Sequence, residues 1–146
     1  MITQPIPSIS SVKLTYLNSE QATANWPTIS KMLEPALKYA EGRVDIDDVR
    51  QAVESEMTMI IIAWDPKSGD VYLAFAAESE VYRTGLKCMN LSLAGGSAVG
   101  EWRHLWPELR EIAKGLGFDQ IELTGRPGWG RVFGLKEKCR TFIEDL

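Results

Sequence analysis

One stretch, from Lys87 to Trp129, constrains the fold of this chain more than any other. An apolar run, KCMNLSL, leads into a glycine-bearing segment, AGGSAVGEW. An amphipathic helical pattern follows from about Trp102 to Leu116, then a short strand, FDQIELT, and a second glycine turn, GRPGW. Strand, glycine loop, helix and strand within about forty residues is the pattern of a βαβ unit, whose two strands run parallel. The loop is the chemically interesting part. Backbone N–H groups at a helix N-terminus lack intrahelical partners and sit at the positive end of the dipole, so they favour an anion. Glycine lets a phosphate approach the backbone closely. Gly95, Gly96 and Gly100 therefore read either as a phosphate cradle or as a tight strand-to-helix connection with no ligand.

The rest of the composition sets limits on function. A chain of 146 residues is one domain by size, 1–146, and long enough to bury a core. A formal charge of −4 and a pI near 5.1 exclude the basic footprint of a non-specific nucleic-acid binder. Two cysteines, Cys88 and Cys139, make no disulfide framework. No apolar run reaches the roughly twenty residues of a membrane-spanning helix, and the first residues lack the charged-then-apolar order of a signal peptide. The expectation is a soluble cytoplasmic protein.

Along the chain, Val12, Leu14 and Tyr16 alternate with polar residues as in a half-buried strand. Trp26-Pro27 opens a helix with Ile29, Met32, Leu33, Ala36, Leu37 and Ala40 on one face, ended by Gly42. Asp45 caps a second helix, Ile46 to Glu54. Met57 to Trp64 is a β-branched apolar run, hence a strand covered on both faces. It turns at Asp65–Asp70 into a returning strand, Val71 to Glu78, and Lys87 to Leu93 continues the antiparallel set. Pro107 belongs in a helix's first turn, which starts the main helix after His104. Phe118 to Thr124 is the strand parallel to Lys87–Leu93. A short helix from about Trp129 to Lys138 and a last strand, Arg140 to Ile143, complete the order β-α-α-β-β-β-α-β-α-β. The fold class is α/β (α+β) with a mixed, twisted sheet.

That order, with AGGSAVGEW at the β-to-α junction, resembles the GNAT acyltransferase superfamily. More narrowly, EW…ELREIAKGLGFDQIELTGRPGW is similar to small GNAT-like proteins encoded by tailed bacteriophages, which carry a Gly-Arg-x-Gly-Trp turn after the strand that follows the main helix. The resemblance implies acetyl-CoA as cofactor, lying between two splayed parallel strands. The strand at Asn90 to Leu93, with Leu91, Ser92 and Leu93 foremost, would offer backbone groups to the pantetheine arm. Gly95, Gly96, Ser97, Ala98 and Gly100 would hold the pyrophosphate, with Arg126 and Trp129 at the cleft. Of the family's Arg/Gln-x-x-Gly-x-Gly/Ala loop, Gly96 and Ala98 fit the small positions, and Leu93 stands where Arg or Gln is typical.

Acetyl transfer to an amine needs a base for the amine's proton and an acid for the departing thiolate. Lys87 to Leu93 holds no carboxylate, and the last helix has no Tyr. Glu78 and Glu122 on neighbouring strands, with Ser92, are the candidate catalytic groups. Each also reads as an ordinary strand residue. No metal site is indicated. Basic residues, Arg126, Arg131, Lys136, Lys138 and Arg140, gather near the C-terminus, and acidic ones, Glu41, Asp45, Asp47, Asp48, Glu54 and Glu56, gather around the second helix. They read either as ends that meet CoA phosphates and an amine, or as two solvated faces. Two functions compete: an acetyl-CoA-dependent N-acetyltransferase, and a GNAT-fold phage structural or internal virion protein without catalysis. The partners are an amine-bearing substrate or a phage or host protein; a small-ligand or host-factor binder using the same cleft is a third reading.

Overall fold

The computed structural model describes residues 12–40, 42–96, 104–124, 130–131, 133–138 and 142–146. Its order is β1 (Lys13–Leu17), α1 (Ser19–Ala24), α2 (Trp26–Leu37), α3 (Ile46–Glu54), β2 (Thr58–Trp64), β3 (Val71–Val81), β4 (Lys87–Gly96), α4 (Trp106–Gly115) and β5 (Gln120–Leu123). A 3-10 turn, Lys38–Ala40, follows α2. The five strands form one sheet in sequence order, β1-β2-β3-β4-β5. The first four run antiparallel and β5 runs parallel to β4, as the βαβ pattern required.

Strand alternation explains why two layers of helix cover this sheet. On one face Ile60, Ile62, Ala74 and Ala76 meet Ala22, Ile29, Leu33, Val49 and Val53 of α1, α2 and α3. On the other, Ile61, Ala63, Leu73, Phe75, Ala77, Met89 and Leu91 meet Leu105, Trp106, Leu109 and Ala113. Each such aliphatic side chain contributes about 1.5–3 kcal/mol by leaving water. Ladders and helices together fix the central strands rigidly, and that rigidity positions the site. No helix among the described residues is long and apolar enough to cross a membrane.

Four expectations need correction. A six-residue helix, α1, precedes Trp26; it is nucleated by a capping box in which Asn18 accepts from the Gln21 N–H and Gln21 reaches back to the Asn18 N–H. It buries only Ala22, so no apolar stripe advertised it. Strand β4 extends to Gly96, which places Gly95 and Gly96 in a ladder rather than in a loop. Tyr16, expected on the buried side of β1, is 39% exposed. The final strand, Arg140 to Ile143, is not seen in its described part: residues 142–146 belong to no strand, and Phe142 is 88% exposed. Of the short last helix, Gly130, Arg131 and Phe133 are helical. Phe133 stacks tilted on Trp106 at 4.8 Å and near Phe75 at 6.4 Å, closing the α4 side of the core.

Candidate functional site

Two irregularities in β4 fall at the same place. Strands β4 and β5 pair from Cys88↔Gln120 to Leu91↔Leu123, and Thr124 N–H still donates to the Leu91 carbonyl at 3.3 Å. Beyond that point β4 continues to Gly96 paired, among the described residues, with β3 alone. On its β3 side the register slips: Ala77 faces Leu91 and Ala76 faces Leu93, so Ser92 is an extra residue. A bulge of this kind leaves the inserted residue out of the ladder and re-aims the side chain that follows. Ser92 Oγ, on the face of α1, α2 and α3 by alternation with Leu91, lies 3.3 Å from the Ala76 carbonyl and 3.4 Å from Glu78 Oε1. Leu93, which alternation alone would send to the α4 side, is turned by the bulge toward the same face as Ser92.

Below the bulge, three strands align one row of polar side chains. Glu78, Asn90 and Glu122 are direct cross-strand partners. All three point away from the α4 core, because Ala77, Met89, Leu91, Ile121 and Leu123 point into it. Direct partners hold their Cβ atoms about 5 Å apart, so the two carboxylates flank Asn90 at roughly 10 Å from each other. Thr124 Oγ donates to Asn90 Oδ1 at 3.4 Å. The next row adds Glu80 opposite Cys88, whose Sγ–H points at Glu122 Oε2 across 3.8 Å. Burial pushes the Cys88 thiol up, the charges of Glu122 and Glu80 add to that, and Lys138 opposes it. Burial and the carboxylate charges both favour the protonated thiol, which is a weak donor to Glu122.

At the rim, Tyr82 OH donates to Glu80 Oε2 at 2.8 Å. That hydrogen bond, reinforced by the Glu80 charge, pushes the phenol up to about 12. A raised folded-state value means that the protonated phenol is the form folding favours. Its contribution is complete below pH 10 and is lost as pH rises through 12. The ultraviolet titration of the tyrosines should show a late step that Tyr82→Phe removes, and the melting temperature of the variant should fall less steeply between pH 10 and 12.

The structure brings together Glu78, Ser92 and Glu122, predicted as catalytic groups. The predicted cofactor residues Leu91, Ser92, Leu93, Gly95 and Gly96 lie in succession on β4. Leu91 is buried in the α4 core, whereas Leu93 is half-buried on the opposite face. Gly95 lies under α2, where an added Cβ would strike the Met32 carbonyl. Gly96 has φ +156° and its added Cβ would strike the Tyr72 carbonyl of β3. Packing against backbone thus accounts for both glycines. Ser97, Ala98, Gly100, Arg126 and Trp129 lie outside the described residues. Sequence reading missed the side chains of Asn90 and Thr124; the signal available for Asn90 was an amide set between Met89 and Leu91 in an otherwise apolar strand. On the α4 side, a shallow hollow lined by Leu14, Leu73, Phe75, Leu105, Trp106, Leu109 and Phe133 offers no titratable group. Among the described residues no group of three or more His, Cys, Asp or Glu is placed to hold a metal ion.

No protein-family model matches the chain, and no curated protein matches it. Solved structures do. An aminoglycoside acetyltransferase from an uncultured soil metagenomic sample superposes with a TM-score of 0.64 at 16% identity, covering 93% of this chain and 99% of that one. A GNAT family acetyltransferase of Staphylococcus aureus gives 0.62 at 10% identity, over 93% and 99%. Glucosamine-6-phosphate N-acetyltransferase of Arabidopsis thaliana gives 0.56 at 13%, over 92% and 97%. The parallel β4–β5 pair, the β4 bulge and the helices on both faces therefore form the mixed α+β fold of GNAT acetyltransferases.

Proposed function

We propose that this protein is an acetyl-CoA-dependent N-acetyltransferase whose acceptor amine enters on the Glu78–Asn90–Glu122 row. The observation that carries the reading is the coincidence of three features at one point: the end of β4–β5 pairing, the Ser92 bulge and the carboxylate row. Among the described residues the backbone of Ser92 to Gly96 has β3 on one side only, so its other edge suits a ligand arm rich in amides, which would hydrogen-bond it as an added strand does. The residues present fit the cofactor in that respect. Acetyl-CoA, when bound, supplies a thioester carbon whose C–S bond breaks, the electron pair leaving on sulfur, as an amine nitrogen bonds to it. The chain's own groups do the rest. Glu78 or Glu122 attracts the ammonium form and takes the proton that the nitrogen loses. The Ser92 hydroxyl holds Glu78 in place, and the Cys88 thiol steadies Glu122. The resemblance to phage proteins points to the cytoplasm of an infected host, with a small amine or a phage or host protein as acceptor.

A second reading, a GNAT-fold structural or internal virion protein of a bacteriophage without catalysis, draws on one observation. Gly95 and Gly96 are required by packing, so their presence needs no phosphate. Calorimetric titration separates the two readings. Saturable heat with acetyl-CoA at micromolar concentrations, and thiol release when a primary amine is added, is the expected result. No heat at high micromolar acetyl-CoA would end the transferase reading.

A further inference from the structure

The amide of Asn90 sits one residue before the last β4–β5 pair, Leu91↔Leu123, with hydrogen-bonding capacity to spare. Its oxygen accepts from Thr124 Oγ at 3.4 Å. In a planar amide the nitrogen occupies the opposite branch, so this bond turns the two Nδ2 donors away from Thr124. Among the described residues nothing accepts from them. Ser92, the next residue of β4 on this face, has one hydroxyl donor, shared between the Ala76 carbonyl and Glu78. Glu78 and Glu122, at one strand spacing on either side, are suited to a cation and cannot donate to an uncharged oxygen.

We propose that Asn90, oriented by Thr124, is a specificity-determining residue that selects acceptors bearing an oxygen on the carbon next to the amine-bearing carbon. The inference rests on the transferase reading above. A carboxylate of the row takes the amine, and Nδ2 donates to the neighbouring hydroxyl or carbonyl oxygen. Side chains rooted about 5 Å apart can lean together onto two atoms roughly 3–4 Å apart, the spacing of a nitrogen and an oxygen on neighbouring carbons. An amine lacking the oxygen would cover Nδ2 and leave a desolvated donor without a partner, which is the strongest means a site has of rejecting an analogue.

Ethanolamine and n-propylamine, equal in heavy atoms and differing by one oxygen, make the test. Acetyl-CoA binding is measured first, by calorimetry, on the unaltered protein and on Asn90→Leu, Asn90→Ser and Thr124→Val. The ratio of kcat/KM for the two amines is then compared. The unaltered protein should favour ethanolamine at least tenfold. Asn90→Leu should bring the ratio to about one, and Thr124→Val should shrink it, because Asn90 is then free to turn. In the 15N-labelled unaltered protein, the Asn90 side-chain amide signals should move with ethanolamine and not with propylamine. That reading is independent of whether any variant folds. Acetyl-CoA binding with a ratio near one in the unaltered protein, a ratio that survives in Asn90→Leu and Asn90→Ser, or signals that fail to move would overturn this proposal alone. No binding of acetyl-CoA, or no acetylation of either amine, would overturn the transferase reading and this proposal with it.

Discussion

Glu78→Gln combined with Glu122→Gln is expected to lower acetyl transfer by a factor of 100 or more while leaving the calorimetric signal of acetyl-CoA in place. A positioned general base contributes about 10²–10⁴ in rate, or roughly 3–5 kcal/mol of barrier. Glutamine keeps the shape of the side chain and an oxygen to accept from Ser92 Oγ and Cys88 Sγ, so the local packing survives. It removes only the ability to take a proton. The single variants assign the role. Glu78 is the more exposed of the two and is tied to the bulge through Ser92, whereas Glu122 is half-buried and lies beside a buried thiol. The variant that alone reproduces the double loss carries the base. The melting temperature should hold, because neither carboxylate forms an ion pair among the described residues and the hydrogen bonds from Ser92 and Cys88 are kept. Full activity in the double variant would move the base off this row and leave the row as a solvated strip of sheet.

Gly95→Val should destabilise the protein whether or not it binds acetyl-CoA. The Cβ alone would enter the volume of the Met32 carbonyl, and that oxygen belongs to the backbone of α2 and cannot rotate away. Overpacking a core typically costs 1–3 kcal/mol when side chains yield, and more is expected where backbone must move, so about 3 kcal/mol or above is the estimate. With a total stability of about 5–15 kcal/mol, that is a large share, and the melting temperature should fall by roughly 10 °C. Gly115→Ala is the control. It lies at the end of α4 with nothing within 4 Å of an added Cβ, and it should be neutral or slightly stabilising. Both measurements are thermal melts without ligand. An unchanged melting temperature in Gly95→Val would mean that α2 does not press on β4 as described, and would return this glycine to the phosphate argument. The same logic limits any substitution at Gly96. A β-branched residue there meets the Tyr72 carbonyl of β3 before it meets a ligand, so weaker cofactor binding in such a variant would report on the sheet.

The sequence by itself determined the sheet. Residues 57–64 are an apolar, β-branched run that reads as a strand covered on both faces, and 71–78 and 87–93 follow it across turn residues as an antiparallel set. The helix between the third of these and residues 118–124 forces a parallel return, because a crossover of that length cannot make a hairpin. It also placed the α4 start beside Pro107 and the α3 cap at Asp45, since these depend on neighbours along the chain. The short helix α1 was not legible: six residues with one buried alanine carry a cap but no period. The site divides in the same way. Glu78, Ser92 and Glu122 could be nominated as polar residues on neighbouring strands, but nothing local in the chain says that Glu78, Asn90 and Glu122 stand in one row. Register decided that, and a slip of one residue would have sent every one of them to the other face. The bulge in turn put Leu93 on the face that Ser92 already occupied. The glycines show the reverse case. A glycine-rich stretch after a strand reads as a phosphate loop from sequence, and only the passage of α2 over Gly95 and of β3 beside Gly96 shows the close backbone contact that excludes a side chain at each. Local pattern fixes elements because its forces act between residues a few positions apart. Residues 78, 90 and 122 meet only through long-range pairing, which no local pattern encodes.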